Sequence, residues 1–455
     1  MHKTLSGWGS LTCAVALGAV LAVTPLASRA QEKASAFQPS PEQAALLQRA
    51  RALGVTDSTS RPAPGGGMIL GGKLEGRQFA VAIPAGWKGD ALVFAHGYTL
   101  PGTPVDVAED PLSAGAGGSG IMRFAYQDGV AAGLSAYDKA GMGVKTGATN
   151  TLRLRNFLAS LGAKKIYVSG SSMGGNIVMA LIEQQPRAFA GALAQCGVTD
   201  GWEREIGQLT DLRLAYNQLT AGTPYALPGV QDATRSALPI VAAPGQDQDA
   251  FMRAQVMTLV APVVALFMAA EKAPDGPEAR IIRQIASIGG FEPDKAAFFY
   301  PLVTLGFGAD DMRATFGGQV YGNRDKVYRS NEMTPAEIEA FNRKIQRFGA
   351  DPEAVAEARR WRQATGRFRT PLVTIHNRID SLVPYAQAEG LSRIVAAAGN
   401  TAKLLQMAVP AVQSPLPLGG KGYDHCGFTA DQIQTGWRAL QHWTETGERP
   451  RLADY

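Results

Sequence analysis

Short apolar runs bounded by glycine and proline recur along this chain with helical repeats between them, and that alternation restricts the fold more than any other feature. "MILGG", "RQFAVAIP" and "ALVFAHG" come first, and "AGLSAYD" follows. Runs of this length and punctuation fit strands of a buried sheet. Leu154, Phe157, Leu158 and Leu161 then repeat at helical spacing, on a helix that Thr149 or Asn150 is expected to cap. "KIYVSG" reads as the next strand, Met173, Ile177, Ala180 and Leu181 as the next helix face, and "GALAQCG" as strand again. The alternation predicts an α/β fold, a mostly parallel sheet with helices on both faces.

The rhythm stops near residue 201 and resumes near 370. Residues 201–364 read as a helical insertion, with the apolar stretches "VMTLVAPVVALFMAA" and "KAAFFYPLVTLGFG". Thr334-Pro335-Ala336-Glu337 has the pattern of a capping box, and Asp351-Pro352 that of a capped start. Strand signals return in "PLVTIHN" and "AKLLQMAVP". A closing helix is expected from Thr429, with Gln432 completing its cap, Ile433, Trp437 and Leu440 on its buried face and Gly447 stopping it. The organisation expected is a sheet domain of residues 68–200 and 365–455 split by that insertion. It is preceded by a lead-in, 31–67, containing one short helix and the turn-rich "RPAPGGG".

Residues 1–30 stand apart. Lys3, an apolar run from Leu11 to Leu26 and then Ser28-Arg29-Ala30 have the layout of a secretory signal peptide. A run of about 16 residues is short for a bilayer span, so no stable membrane anchor is expected, and Cys13 is not placed as a lipidated cysteine would be. The mature chain is thus expected to be exported, periplasmic or extracellular. Its removal takes Lys3 and Arg29 and no acid, so the formal charge falls from +5 to +5 − 2 = +3. That balance, without basic arms, gives no case for nucleic acid. Cys196 and Cys426 are then the two cysteines left, which in an exported protein suggests one disulfide. No Cys-x-x-Cys or His-x-x-x-His spacing appears, and neither a metal nor a cofactor is expected.

Chemistry concentrates at Gly170-Ser171-Ser172-Met173-Gly174, a G-x-S-x-G match between a strand and an amphipathic helix. Such a turn holds its central residue in a strained conformation, and the flanking glycines let strand and helix close around it. Ser172 is central and is the candidate nucleophile; Ser171 is not. The Met173 N–H would open the helix, where partial positive charge suits an oxyanion.

On these residues the chain resembles the α/β-hydrolase family over most of 68–200 and 365–446. The resemblance implies a second oxyanion donor in the loop after "ALVFA", here His96-Gly97-Tyr98, with the Tyr98 N–H as candidate and His96 in a structural role. A serine hydroxyl needs an adjacent base. Of His2, His96, His376, His425 and His442, only His425, in "GGKGYDHCGFT", lies in the loop where the family carries its base. The implied acid is Asp380 in "TIHNRIDSLVP", with Asp200 in "CGVTDG" as the rival. The chain order Ser172, Asp380, His425 is the family's. Cys196 and Cys426 would both fall at the C-terminal sheet edge, where a disulfide would brace the histidine loop. Gly115 to Gly120 also satisfies G-x-G-x-x-G, but a loop precedes it where a dinucleotide site needs a strand, so it reads as a loop near the site entrance.

The resemblance implies acyl transfer to water. An exported carboxylic ester hydrolase acting on a small-molecule or polymeric ester is the leading expectation, with the insertion as a lid. Phe267, Met268, Phe298, Phe299 and Tyr300 would either line a pocket there or form the insertion's own core. A prolyl-oligopeptidase-like serine peptidase is the alternative among enzymes, and a binding protein on a hydrolase scaffold the alternative outside them.

Overall fold

The computed structural model describes residues 37–416 and 419–451; the signal-peptide reading lies outside the described residues. Nine strands form one sheet: β1 (Thr56–Ala63), β2 (Gly67–Leu74), β3 (Arg77–Ile83), β4 (Asp90–Ala95), β5 (Ala131–Ser135), β6 (Lys165–Ser171), β7 (Gly191–Gln195), β8 (Leu372–Asn377) and β9 (Leu404–Val409). They lie in the order β1-β2-β3-β5-β4-β6-β7-β8-β9. The first four in that order pair antiparallel, and from β5 to β9 every neighbour is parallel. β10 (Gln413–Pro415) and β11 (Lys421–Tyr423) make a separate two-stranded ribbon.

The helices are α1 (Pro41–Ala52), α2 (Ile121–Gln127), α3 (Val144–Leu161), α4 (Met173–Gln184), α5 (Trp202–Thr220), α6 (Gln248–Lys272), α7 (Pro277–Gly289), α8 (Lys295–Phe316), α9 (Pro335–Lys344), α10 (Pro352–Arg362), α11 (Ala386–Ala397) and α12 (Ala430–Thr446). Alternation along the central strands divides them between two faces. Ala91, Val93 and Ala95 of β4 join the core that holds α3, α4 and α11 residues, while Leu92 and Phe94 join the one built on α2 and α12. Trp437 of α12 meets Tyr167 of β6 edge-on there, with ring centroids 5.0 Å apart.

Three expectations need correction. Asp351 does stand before Pro352 at the start of α10, but its side chain makes no cap hydrogen bond and accepts the Gln319 N–H at 2.6 Å instead. The lead-in is more than a helix and a turn: its residues Thr56–Ala63 form β1 on the antiparallel edge of the sheet. The helix expected to be capped by Thr149 or Asn150 starts at Val144, after Gly143, with no side-chain cap; Asn150 is buried inside it and donates to Asp138. The capping boxes at Thr334 and Thr429 are both present.

Between β7 and β8 the chain forms α5 to α10; residues of α5 to α9 build a core of their own, while Ala354 and Ala358 of α10 join the core that holds α3 and α4. Phe267, Phe298 and Phe299 are buried in that core, Phe267 and Phe298 packing edge-on at 5.2 Å; Met268 is half exposed and Tyr300 lies partly buried between the two cores. α6 is long and apolar enough to cross a bilayer by length and composition, but Leu259, Val260 and Leu266 turn one side of it into the insertion core.

Candidate active site

Ser172 occupies the sharp turn between β6 and α4 at φ 59°, ψ −122°, a conformation that side chains rarely adopt. The glycines around it are there because nothing larger fits. A Cβ on Gly174 would stand 2.0 Å from the Ala95 carbonyl oxygen, and one on Gly170 would stand 2.4 Å from the Gly174 oxygen. The loop after β4 passes close by: a methyl group on Gly97 would lie 3.9 Å from Ser172 Oγ. Tyr98, whose N–H is the candidate oxyanion donor in this loop, turns its ring away toward Gly308 of α8, with its hydroxyl buried and unpartnered among the described residues. Met173 opens α4, and Ser171 is buried at the end of β6.

Asp380 and His425 meet 45 residues apart in sequence, with His425 Nδ1 2.8 Å from Asp380 Oδ1 and 3.0 Å from Oδ2. Both are buried. The carboxylate also accepts the Leu382 and Val383 N–H groups on Oδ1, each at 2.9 Å, and the Cys426 N–H on Oδ2 at 3.0 Å. Burial pushes this carboxyl up. The positive charge and hydrogen bond that His425 can offer, the nearby His376 and the Cys426 N–H outweigh burial and hold it below the ordinary carboxylate range. With Nδ1–H given to Asp380, Nε2 of a neutral imidazole carries the lone pair, as a general base requires.

Serine turn and histidine loop are tied through the end of β7. Ser172 N–H donates to the Gln195 carbonyl at 2.9 Å, and Val198 N–H to the Ser172 carbonyl at 3.3 Å. Cys196, between them in sequence, is disulfide-bonded to Cys426, the residue after His425. No hydrogen bond joins Ser172 Oγ to His425 among the described residues; His425 Nε2 lies 3.4 Å from Cys426 Sγ. The loop is held from other sides as well. Asn377 Nδ2 donates to the Gly427 carbonyl at 2.7 Å, and Ser414 pairs with Asp424. Ser119, within the Gly115 to Gly120 segment, has its hydroxyl 3.5 Å from the Cys426 carbonyl.

The remaining histidines and the rival acid are engaged elsewhere. His96 stacks on Tyr137 with centroids 3.7 Å apart, and burial lowers its pKa to about 4. His376 shares a 2.8 Å hydrogen bond with the Val383 carbonyl, and His442 is exposed on α12. Asp200 is ion-paired with Arg204 at 3.0 Å.

Sequence reasoning missed two groups beside the acid. His376 fixes the peptide whose N–H groups cradle Asp380, and its position at the end of the strand preceding the acid was the available signal. Glu205 of α5 is buried and accepts from Gln387 Nε2 at 3.1 Å; burial, aided by the Asp380 charge, raises its carboxyl well above the ordinary range. No sequence pattern marks it.

Residues 156–224, which contain the serine turn, match the family model described as "Prolyl oligopeptidase family". No curated protein matches the chain. Among solved structures, feruloyl esterase B from Aspergillus oryzae is similar at 15% identity and a TM-score of 0.43, with 89% of this chain and 91% of that one covered. An esterase from Aspergillus oryzae gives 12% identity and a TM-score of 0.40, covering 87% of each chain. The rice cell wall degrading esterase LipA from Xanthomonas oryzae gives 14% and 0.35, covering 81% and 87%. With a parallel run from β5 to β9 and a strained serine between β6 and α4, the chain has the α/β-hydrolase fold.

Proposed function

We propose that this protein is an exported serine hydrolase that cleaves a carboxylic ester through an acyl-enzyme. Ser172 attacks the carbonyl carbon, His425 takes its proton and returns it to the leaving alkoxide, and Asp380 orients the imidazole and stabilises its cation. The N–H groups of Met173 and Tyr98 receive the oxyanion, a contribution of about 100- to 1000-fold in rate per donor. Water then attacks the acyl-enzyme by the same proton route reversed. The helical insertion of residues 201–364 acts as the lid over this edge of the sheet, and the disulfide supports export to an oxidising compartment.

The observation that carries the reading is the buried Asp380–His425 pair, with the carboxylate held in a cradle of backbone N–H groups at the sheet edge where the serine turn also stands. A fluorophosphonate probe is expected to label the wild type and Ser171→Ala but not Ser172→Ala; equal labelling of all three would refute the assignment. The match of residues 156–224 to a peptidase family favours a second reading, cleavage of peptide bonds after proline. A panel of p-nitrophenyl esters beside proline-containing peptide anilides separates the two, ester turnover without anilide turnover being the expected result.

A further inference from the structure

Four buried groups with metal-ligating atoms crowd one point at the sheet edge: Cys196, Asp380, His425 and Cys426, each with one ligand atom within 4.8 Å of one on every other. While the two sulfurs are bonded to each other this is no metal site, because a disulfide offers no thiolate. We propose that reduction of Cys196–Cys426 converts the point into a divalent-metal site of the zinc type, made of the two thiolates and His425 Nε2, with Asp380 behind the imidazole as its outer-shell partner.

The distances favour it. Two thiolates on one tetrahedral zinc, each bond about 2.3 Å, stand about 3.8 Å apart. With Cα atoms 5.3 Å apart, the cysteine side chains reach that separation once the bond between them is broken. A thiolate and an imidazole nitrogen on the same ion stand about 3.5 Å apart, and Cys426 Sγ is already 3.4 Å from His425 Nε2. The imidazole is pre-set as well. Nδ1–H directed at Asp380 leaves the Nε2 lone pair for the ion, and the carboxylate–histidine–metal arrangement fixes both ring and tautomer. Two thiolates and one imidazole select a borderline-soft ion such as Zn²⁺ or Co²⁺ over Mg²⁺ or Ca²⁺. The fourth position falls to water.

The chemistry balances. A phosphine gives two electrons to the disulfide and keeps an oxygen from water, whose two protons go to the two thiols; binding of the metal then releases those protons. The ion occupies the Nε2 lone pair that the hydrolytic reaction uses, so the reduced, metal-loaded protein is held inactive. That last consequence rests on His425 being the base; metal binding itself does not.

The full chain is incubated with a phosphine until peptide mapping finds Cys196 and Cys426 as thiols, then freed of reductant and titrated with Co²⁺ under argon. One Co²⁺ per chain is expected, with thiolate-to-cobalt charge-transfer absorption, displacement by Zn²⁺, and both thiols protected from iodoacetamide. The oxidised protein and Mg²⁺ titrations should give none of this. His425→Gln should abolish the absorption, and Asp380→Asn should weaken binding about 10- to 100-fold. Absence of the absorption in reduced wild type, or its persistence in His425→Gln, overturns the proposal. If the reduced chain loses its far-ultraviolet circular dichroism, Zn²⁺ should restore it, and failure to do so also overturns the proposal. An oxidised protein that is inert to esters and to the fluorophosphonate, but binds Co²⁺ after reduction, would fail the hydrolase reading alone.

Discussion

Replacing Asp380 by asparagine changes one oxygen to NH₂ and separates the carboxylate's charge from its shape. With the amide oxygen in the Oδ1 place, the Leu382 and Val383 N–H groups keep their acceptor, and the NH₂ faces the Cys426 N–H across 3.0 Å. The reversed amide sets NH₂ against two backbone donors, so the first orientation is preferred. One buried N–H is then unsatisfied, which costs about 1–3 kcal/mol of stability. The kinetic effect is larger. The new NH₂ competes for Nδ1, favouring the tautomer with its proton on Nε2, and the negative charge that steadies the imidazolium is gone. A loss of about 10³- to 10⁴-fold in kcat/KM is expected, equal to about 4–5 kcal/mol of transition-state stabilisation. The assay is ester hydrolysis across pH, with urea unfolding run on the same samples. In the native state the wild-type carboxyl is held below its ordinary value of 3.8. Its contribution to stability is therefore complete above that pH and lost as pH falls through the native value. The stability gap between wild type and variant should close in acid. A folded Asp380→Asn variant that loses less than about 10-fold in kcat/KM would refute the role given to this residue.

Three further outcomes follow from the same contacts. Gly174→Ala puts a methyl carbon 2.0 Å from the Ala95 oxygen and 2.9 Å from the His96 oxygen, both backbone, so the variant is expected to lose soluble folded yield; a folded, active protein would mean a looser turn than the structure has. The double change Cys196→Ser, Cys426→Ser removes a cross-link spanning 230 residues and should lower stability by about 2–5 kcal/mol, read from urea midpoints. Glu205→Gln should leave stability unchanged below pH 4.5 and raise it as pH climbs through the native carboxyl's elevated pKa, because the native state there resists ionising a group that the unfolded chain ionises freely. The Gln387 bond survives in that variant on the amide oxygen, so a flat pH profile of the difference would point to solvent reaching Glu205.

What the sequence made legible is what is local or forced by chain order. The serine turn could be read because sterics around one strained residue demand glycine two before and two after, and those demands are written into five consecutive positions. Asp380 and His425 could be read only with the help of family order, since nothing local ties residues 45 apart. β1 escaped notice because Thr56–Ala63 is mostly exposed and polar and has no apolar run; its pairing with β2 is the tertiary fact that makes it a strand. The start of α3 at Gly143 carries no capping side chain, so the better-looking cap at Thr149 misled. Glu205 is illegible for a related reason. On sequence alone a glutamate in the first turn of a helix is an ordinary solvent-facing residue, and only the tertiary structure buries it, with Gln387 of α11 as its hydrogen-bond partner.

The insertion is moored to the sheet domain beside the loop that carries the Tyr98 N–H, which bears on how a substrate would be selected. Asp311 of α8 accepts the Met142 N–H on Oδ2 and pairs with Lys139 through Oδ1, each at 2.6 Å, and Lys139 also reaches Thr315 at 2.7 Å. Gly141, between those two anchor points, is bridged to Thr99, the residue after Tyr98. The Tyr98 ring meanwhile fills the space that a side chain at Gly308 would need. A displacement of α8 therefore cannot leave the 97–99 loop unmoved. If that loop supplies an oxyanion donor, the insertion tunes the rate constant of the chemical step as well as access to the serine, because a donor helps only when it is already placed where the charge develops. Substitutions at Asp311, remote in sequence from the candidate triad, then belong to the catalytic geometry, whereas those on the exposed side of α6 at Met257 and Met268 do not.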